Sequence, residues 1–252
     1  MHIAIIGCGN MGGSLAQRLS QSNQLFLYDS YKEKADLLAK QGYGKTFETV
    51  GEAIKEAEII ILAVKPQNLE EVADMIKGGI KANQTVVSLL AGTSIKTLKS
   101  YFPTGCILRM MPNLPLVYGE GVIGMSSEEK IEELKVFELL GKIYWLPEDK
   151  IDGLTALASS GPAFFFVMVE SMIDAGIAMG FTAEEAQGLV YQMLKGSITL
   201  MEQTGKHPGV LKWQVASPKG TTIAGLKKLE ESALRGSIIN TFLAGYDRAQ
   251  QF

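Results

Sequence analysis

The amino-acid sequence predicts an α/β chain in two parts: a doubly wound, mostly parallel sheet over residues 1–150, then an all-helical region over 151–252. Three observations carry this expectation. Short continuous apolar runs alternate with helix-like patterns through the first 150 residues, as in βα repeats around a sheet buried on both faces. A glycine pattern, Gly7-x-Gly9-x-x-Gly12, follows the first run at once. Beyond Pro147, apolar residues recur only at helical spacing.

In order, residues 3–6 form the first strand, and Leu15, Ala16 and Leu19 give the next helix one apolar face. Residues 25–28 make a second strand ending at Asp29, and 32–41 suit a helix closed by Gly42. A short helix over 52–57 precedes a strongly apolar strand, 58–64, which stops at Lys65-Pro66. Helix 69–76, strand 85–90 and a helix capped by Ser94 follow. Ile107 and Leu108 lie on a strand leading to Arg109, and strands at 122–125 and 143–146 flank a helix expected over 127–140. The second half predicts helices around 151–159, 163–179, 183–202 and 221–249. Gly161-Pro162 suits a helix start, and Thr182 with Glu185 makes a capping box.

The chain has 252 residues, 46% hydrophobic and 20% charged, which is ordinary for a globular protein. A net charge of −3 with interspersed signs gives no nucleic-acid footprint. Cys8 and Cys106 make no disulfide framework, and His2 and His207 offer no metal-ligand spacing, so no metal is expected. The first strand begins without a leader pattern, and a reducing cytoplasm is expected. Residues 163–169 are wholly apolar, but Glu170 and Asp174 interrupt before the ~20 residues a bilayer needs. A buried helix is expected there, and no membrane. Several helices of the second half are apolar nearly all round, which a region of about 100 residues cannot hide alone. That predicts a homodimer joined through the helical half.

Strand, glycine turn and helix together open a Rossmann-like dinucleotide-binding unit. Gly7 permits the sharp turn, Gly9 lets backbone approach a pyrophosphate, and Gly12 lets helix and strand pack closely. Cys8, Asn10 and Met11 fill the positions between, so their backbone belongs to the same phosphate site. Asp29, about 20 residues on, stands where an acid accepts from an adenosine ribose; otherwise it caps the next helix. Ligands in such sheets lie beyond the carboxyl ends of the strands. Three more segments fall there: 63–67 with Ala63, Val64, Lys65 and Pro66; 90–93; and 109–115 with Met111, Pro112 and Asn113. Far along the chain, Ser217-Pro218 makes a turn, and Gly220, Thr221 and Thr222 open a helix. Unpaired N–H groups and two hydroxyls suit a carboxylate there; plain capping by Thr221 or Thr222 is the alternative.

These residues carry a family resemblance. The chain resembles pyrroline-5-carboxylate reductases in Ile5-Ile-Gly-Cys-Gly-Asn-Met-Gly12, Ile61-Leu-Ala-Val-Lys-Pro-Gln67, Arg109-Met-Met-Pro-Asn-Leu-Pro115, Ser160-Gly-Pro-Ala163, His207-Pro208 and Ser217-Pro-Lys-Gly-Thr-Thr-Ile-Ala-Gly225. The motifs stand in family order over nearly the whole chain. The resemblance implies an NADPH- or NADH-dependent reduction of 1-pyrroline-5-carboxylate to proline, a small-molecule substrate, and an imino-acid carboxylate held by Ser160, Ser217, Lys219, Gly220, Thr221 and Thr222. Thr222 is the candidate catalytic residue, bonding the substrate or relaying a proton through water. The chain departs from the family at Lys219, where a glycine is usual, at Ala158-Ser159, at Trp213 in place of an acid, and at Val50, near where the family often has an Asn.

Two other functions stay open at this point. One is a β-hydroxyacid dehydrogenase using Lys195 for acid–base work; the other is a catalytically silent dinucleotide-binding regulator. For the cofactor, Asp29 favours the 2′-hydroxyl of NADH, while Ser30 and Lys32 could receive the 2′-phosphate of NADPH. Both cofactors are therefore expected to work, with Asp29→Ser shifting the balance toward NADPH.

Overall fold

The structure is a computed structural model that describes residues 1–76, 78–129 and 133–251. Its first part runs β1 (His2–Ile6), α1 (Asn10–Leu19), β2 (Gln24–Tyr28), α2 (Lys32–Lys40), β3 (Lys45–Thr46), α3 (Val50–Ile54), β4 (Ile59–Leu62), α4 (Leu69–Ile76), β5 (Thr85–Ser88), α5 (Ile95–Tyr101), β6 (Cys106–Met111), β7 (Gly121–Ser126) and β8 (Gly141–Trp145). The eight strands form one sheet in the order β3-β2-β1-β4-β5-β6-β7-β8. Every neighbouring pair is parallel except β6 and β7, which are antiparallel.

Alternation along the strands divides the core between the two faces of the sheet. Ile3, Ile5, Ile59, Ile61, Val87 and Leu108 pack on one face with Leu15, Ala16 and Leu19 of α1. Ala4, Ile6, Ile60, Leu62, Val86 and Ile107 pack on the other with Val72, Ala73 and Ile76 of α4. The continuous apolar runs follow from this, because the central strands β1, β4 and β5 have no wet face. A polar clasp, Gln84, stands just before β5 and is 2% exposed. Its Nε2 donates to the carbonyls of Ile54 and Ala57, both at 2.7 Å, and its Oε1 accepts from Lys81 N at 2.8 Å.

The helix expected over 127–140 takes another form. Residues 130–132 lie outside the described residues, and Glu133–Leu140 is a 3-10 helix. Phe137 and Leu140 are both fully buried. A three-residue spacing aligns them in a 3-10 helix, where i and i+3 eclipse. β3, two residues long, was not expected.

The second part contains α6 (Ile151–Leu154) followed by a π turn, then α7 (Gly161–Ala178), α8 (Ala183–Thr204), α9 (Pro208–Val215), α10 (Thr221–Glu231) and α11 (Leu234–Ala249). No strand lies beyond Trp145 among the described residues. Thr182 and Glu185 form the capping box: Glu185 N donates to Thr182 Oγ1 at 3.2 Å, and Thr182 N donates to Glu185 Oε2 at 2.9 Å. The helix expected over 221–249 breaks at Ala233, which has φ +53. Arg235 binds Glu230 through both carboxylate oxygens across that break.

By contacts the chain divides into two compact units, Met1–Pro162 with the C-terminal residues from Ala244, and Ala163–Leu243. The segment just past 150 stays with the sheet for a physical reason. Ile151 is fully buried, and Leu154 fills the space that a side chain at Gly124 would take. In the other unit α7 buries only Val169. A largely buried helix was expected; instead Phe166 is 56% and Val167 62% exposed. The stretch Glu148–Ala178, 31 residues, is long and apolar enough to cross a membrane by length and composition.

Candidate active site

The glycine turn is the tightest corner of the first unit. Gly7 adopts φ +102, a left-handed conformation that favours glycine, and donates its N–H to Tyr28 O at 2.8 Å. A Cβ on Gly12 would run into the Gly7 carbonyl oxygen. The space beside Gly9 is open within 4 Å, and Gly9 is the N-cap of α1 without a side-chain cap bond. Asn10 and Met11 then begin α1, whose first N–H groups have no helical partners.

Asp29 closes this corner. Its Oδ2 accepts from Cys8 N at 2.7 Å and its Oδ1 from Tyr31 N at 2.9 Å. One carboxylate thus joins the glycine turn to the end of β2. The Cys8 thiol is pushed up to about 12, chiefly by burial and then by the Asp29 charge. It stays a neutral thiol, donating to Tyr28 O at 3.6 Å. Burial also raises Cys106, with Glu129 adding to the effect.

A cavity of about 360 Å³ opens over this corner. Of the candidate cofactor residues it brings together Gly7, Gly9, Asp29, Ser30, Ala63, Val64 and Lys65. Cys8, Asn10, Met11, Gly12 and Pro66 are beside it in the chain but not in its wall. Eight wall residues were not foreseen: Ile6, Tyr28, Tyr31, Lys34, Asn68, Glu71, Val72 and Met75. The signal for Lys34 was its place three residues after Tyr31, which puts both on one side of the first turn of α2. Lys32, the expected phosphate partner, is instead paired with Glu48. A donor-rich turn beside open space, with an uncapped helix start, fits a dinucleotide pyrophosphate.

Met111, Pro112 and Asn113 do something else. All three are buried. Asn113 Nδ2 donates to Ala158 O at 3.0 Å, and its Oδ1 accepts from Val122 N at 2.8 Å. The Pro112 carbonyl accepts from Ser159 Oγ at 3.0 Å. The amide expected to face a ligand is committed to holding residues 158 and 159 against the end of β6. Ser160, the next residue, is half-buried, and its N–H donates to Thr155 O at 2.9 Å. Arg109 on β6 is buried and paired with Glu148 at 3.0 Å. The same Glu148 oxygen accepts from Ile95 N at 2.7 Å.

In the other unit, residues 217–222 lead into α10. Gly220 is the N-cap, with no side-chain cap bond, so neither threonine caps the helix. Gly220 N donates to Ser217 O at 3.1 Å, and Ser217 folds over Gly220 so closely that a Cβ there would collide with its hydroxyl. Lys219 stands at φ +61, the left-handed region. That accounts for the glycine usual at this place in the resemblance. Thr222 is half-buried and Thr221 exposed. Lys195 is exposed on α8. No cluster of three metal-ligating side chains occurs among the described residues.

Comparison with known proteins is consistent along the chain. Residues 148–252 match the family described as pyrroline-5-carboxylate reductase dimerisation, and residues 2–92 match that described as NADP oxidoreductase, coenzyme F420-dependent. The pyrroline-5-carboxylate reductase of Arabidopsis thaliana is 33% identical over 261 residues, covering 99% of this chain and 94% of that protein. The crystal structure of the Plasmodium falciparum pyrroline carboxylate reductase with NADP bound superposes with a TM-score of 0.89 at 27% identity, covering 100% of this chain and 97% of that one. The 1-pyrroline-5-carboxylate reductase of Streptococcus pyogenes gives 0.90 at 26% identity, covering 100% and 99%.

Proposed function

The chain belongs to the pyrroline-5-carboxylate reductase family, and from that premise we propose how its own residues share the work. It is an NAD(P)H-dependent oxidoreductase acting on a C=N bond, reducing 1-pyrroline-5-carboxylate to proline. The bound nicotinamide supplies the hydride to the imine carbon, and one proton ends on the ring nitrogen.

The glycine turn holds the pyrophosphate at the N-terminus of α1, with Gly7, Gly9 and Gly12 shaping the backbone and Asn10 and Met11 lending N–H groups, while the Cys8 N–H stays on Asp29. Ala63, Val64, Lys65 and Pro66 form the facing wall. Met111, Pro112 and Asn113 shape the end of β6 from behind, in keeping with the bonds their backbone and amide make. Asp29 and Ser30 lie at the adenosine end. The observation that carries this assignment is the open space beside Gly9, the N-cap of a helix start that no side chain caps.

The loop of Ser217, Lys219, Gly220, Thr221 and Thr222 receives the substrate carboxylate. Its support is the uncapped start of α10, whose N–H groups and neighbouring hydroxyls are free to bind an anion. Thr222 is assigned the hydrogen bond that orients the imino acid or passes the proton to its nitrogen through water. Residues 1–150 serve the dinucleotide, and 151–252 serve dimerisation and substrate. Two copies pair through the helical half, which the dimerisation family spanning 148–252 supports. The apolar face of α7 is then a protein interface and not a lipid-facing one. Both cysteines are free thiols, in keeping with a reducing cytoplasm.

The test is a single assay. Purified protein mixed with pyrroline-5-carboxylate and reduced cofactor should oxidise the cofactor, followed at the nicotinamide absorbance, with proline as product. Cofactor binding without turnover of the imine would contradict the assignment.

A further inference from the structure

We propose that Lys34, with Ser30 beside it, is the receptor for the adenosine 2′-phosphate and the residue that admits NADPH past Asp29, an inference that rests on reading the cavity over the glycine turn as the dinucleotide site. Asp29 alone would exclude a second negative charge at this place. Its carboxylate is engaged, however, with one oxygen on Cys8 N and the other on Tyr31 N. Two N–H donors offset its charge and fix it as a brace of the glycine turn.

The cations near β2 divide cleanly. Lys32 is drawn off by Glu48 and is absent from the cavity wall. Lys34 lies in that wall and makes no ion pair among the described residues. It is held over the Tyr31 ring, its Nζ 4.7 Å from the ring centre. Tyr31 is 66% exposed and anchored through its backbone, which accepts from Lys34 N at 2.9 Å. The Lys34 charge reaches the glycine turn: it opposes burial and Asp29 at the Cys8 thiol. The other cation of the wall, Lys65, follows β4, whereas the ribose 2′ position in such folds lies at the end of β2. Glu71 stands in the same wall on α4, so the wall carries a second carboxylate besides Asp29.

The experiment measures equilibrium binding of NADPH, NADH, 2′,5′-ADP and 5′-AMP by calorimetry, for the wild type, Lys34→Gln and Lys32→Gln. Lys34→Gln should weaken NADPH and 2′,5′-ADP about tenfold more than NADH and 5′-AMP, the loss of one charge-assisted contact to phosphate. Lys32→Gln should not separate the pairs. Lys34→Arg should keep the preference. A Lys34→Gln effect equal on all four ligands, or matched by Lys32→Gln, would overturn the assignment. Wild type binding none of the four would instead overturn the dinucleotide site itself. Should Lys34→Gln fail to fold, a salt titration of the wild type decides: NADPH affinity must fall more steeply than NADH affinity, and parallel slopes would refute the proposal.

Discussion

The sheet and the helical region bury their apolar residues in opposite ways. Strands β1 and β4 have every residue from Ile3 to Ile6 and from Ile59 to Leu62 buried, and helices on both faces complete two core clusters. In the helical region α7 buries one residue, α8 buries Ala186 alone, and α10 buries none. Phe164 and Phe242 meet edge to face with ring centres 5.2 Å apart, yet Phe165, Phe166 and Val167 are exposed. The first region satisfies itself. The second carries the surface of a core without the other half, as in an obligate interface.

The same contrast holds for the two candidate binding corners. At the glycine turn, the Asp29 carboxylate and the Gly7 N–H are bonded within the chain, and open space is confined to Gly9. At the start of α10, the cap is a glycine and no side chain closes the turn. Both helix starts have a glycine cap without a side-chain bond; the first corner differs in the carboxylate that braces its turn.

The largest effect should come from charging the uncovered face. Phe166→Glu should split the dimer, with a loss of roughly 2–4 kcal/mol of association free energy, read by sedimentation. The sheet region should keep its fold. If the variant associates as wild type does, α7 is not at the interface.

Next comes Thr222→Ala. Removing one hydrogen bond to a charged group should reduce kcat/KM by about 1.5–3 kcal/mol in transition-state free energy, while NADPH binding persists. Unchanged kinetics would remove Thr222 from the substrate corner. In the self-sufficient region, Gln84→Ala removes the side-chain donor to the Ala57 carbonyl and one of two donors to the Ile54 carbonyl, and should lower unfolding free energy by about 1–3 kcal/mol. Denaturant midpoints measure this, and the dimer should survive.

A smaller effect is expected at Lys219. Its left-handed backbone is relieved by Lys219→Gly, worth about 1 kcal/mol in stability, because glycine adopts φ +61 without the Cβ clash. The smallest concerns pH. Glu185 lies below its ordinary 4.5, held first by the Thr182 backbone N–H. The contribution of this cap is therefore present above the ordinary carboxylate range and lost as pH falls through the lowered value. Glu185→Gln should flatten that acid limb slightly, as read by thermal melts at a series of acid pH values.

The sequence displayed what a repeated physical pattern enforces. Strands buried on both faces read as apolar runs, and the glycine turn as a fixed spacing that steric crowding at Gly12 demands. Thr182 and Glu185 are local to one helix start, so their pairing was readable too. What escaped depends on tertiary choice. β3 is a two-residue edge whose pairing with Phe26 and Leu27 leaves no periodicity. α9 begins at Pro208 with the His207 ring accepting from Gly209 N, a cap type with a weak signal. The break at Ala233 has no glycine to mark it. Asn113 looked like a ligand because it follows a strand end, but only the fold reveals Ala158 and Val122 as its partners. Lys34 was passed over for Lys32 because Glu48, sixteen residues away, decides which lysine is spoken for.

The central claim is that the helical region is completed by a second copy of the chain. Light scattering on the purified protein at micromolar concentration tests it most directly. The account predicts a mass of at least two chains, falling to one chain in Phe166→Glu. A wild-type mass of one chain would contradict it.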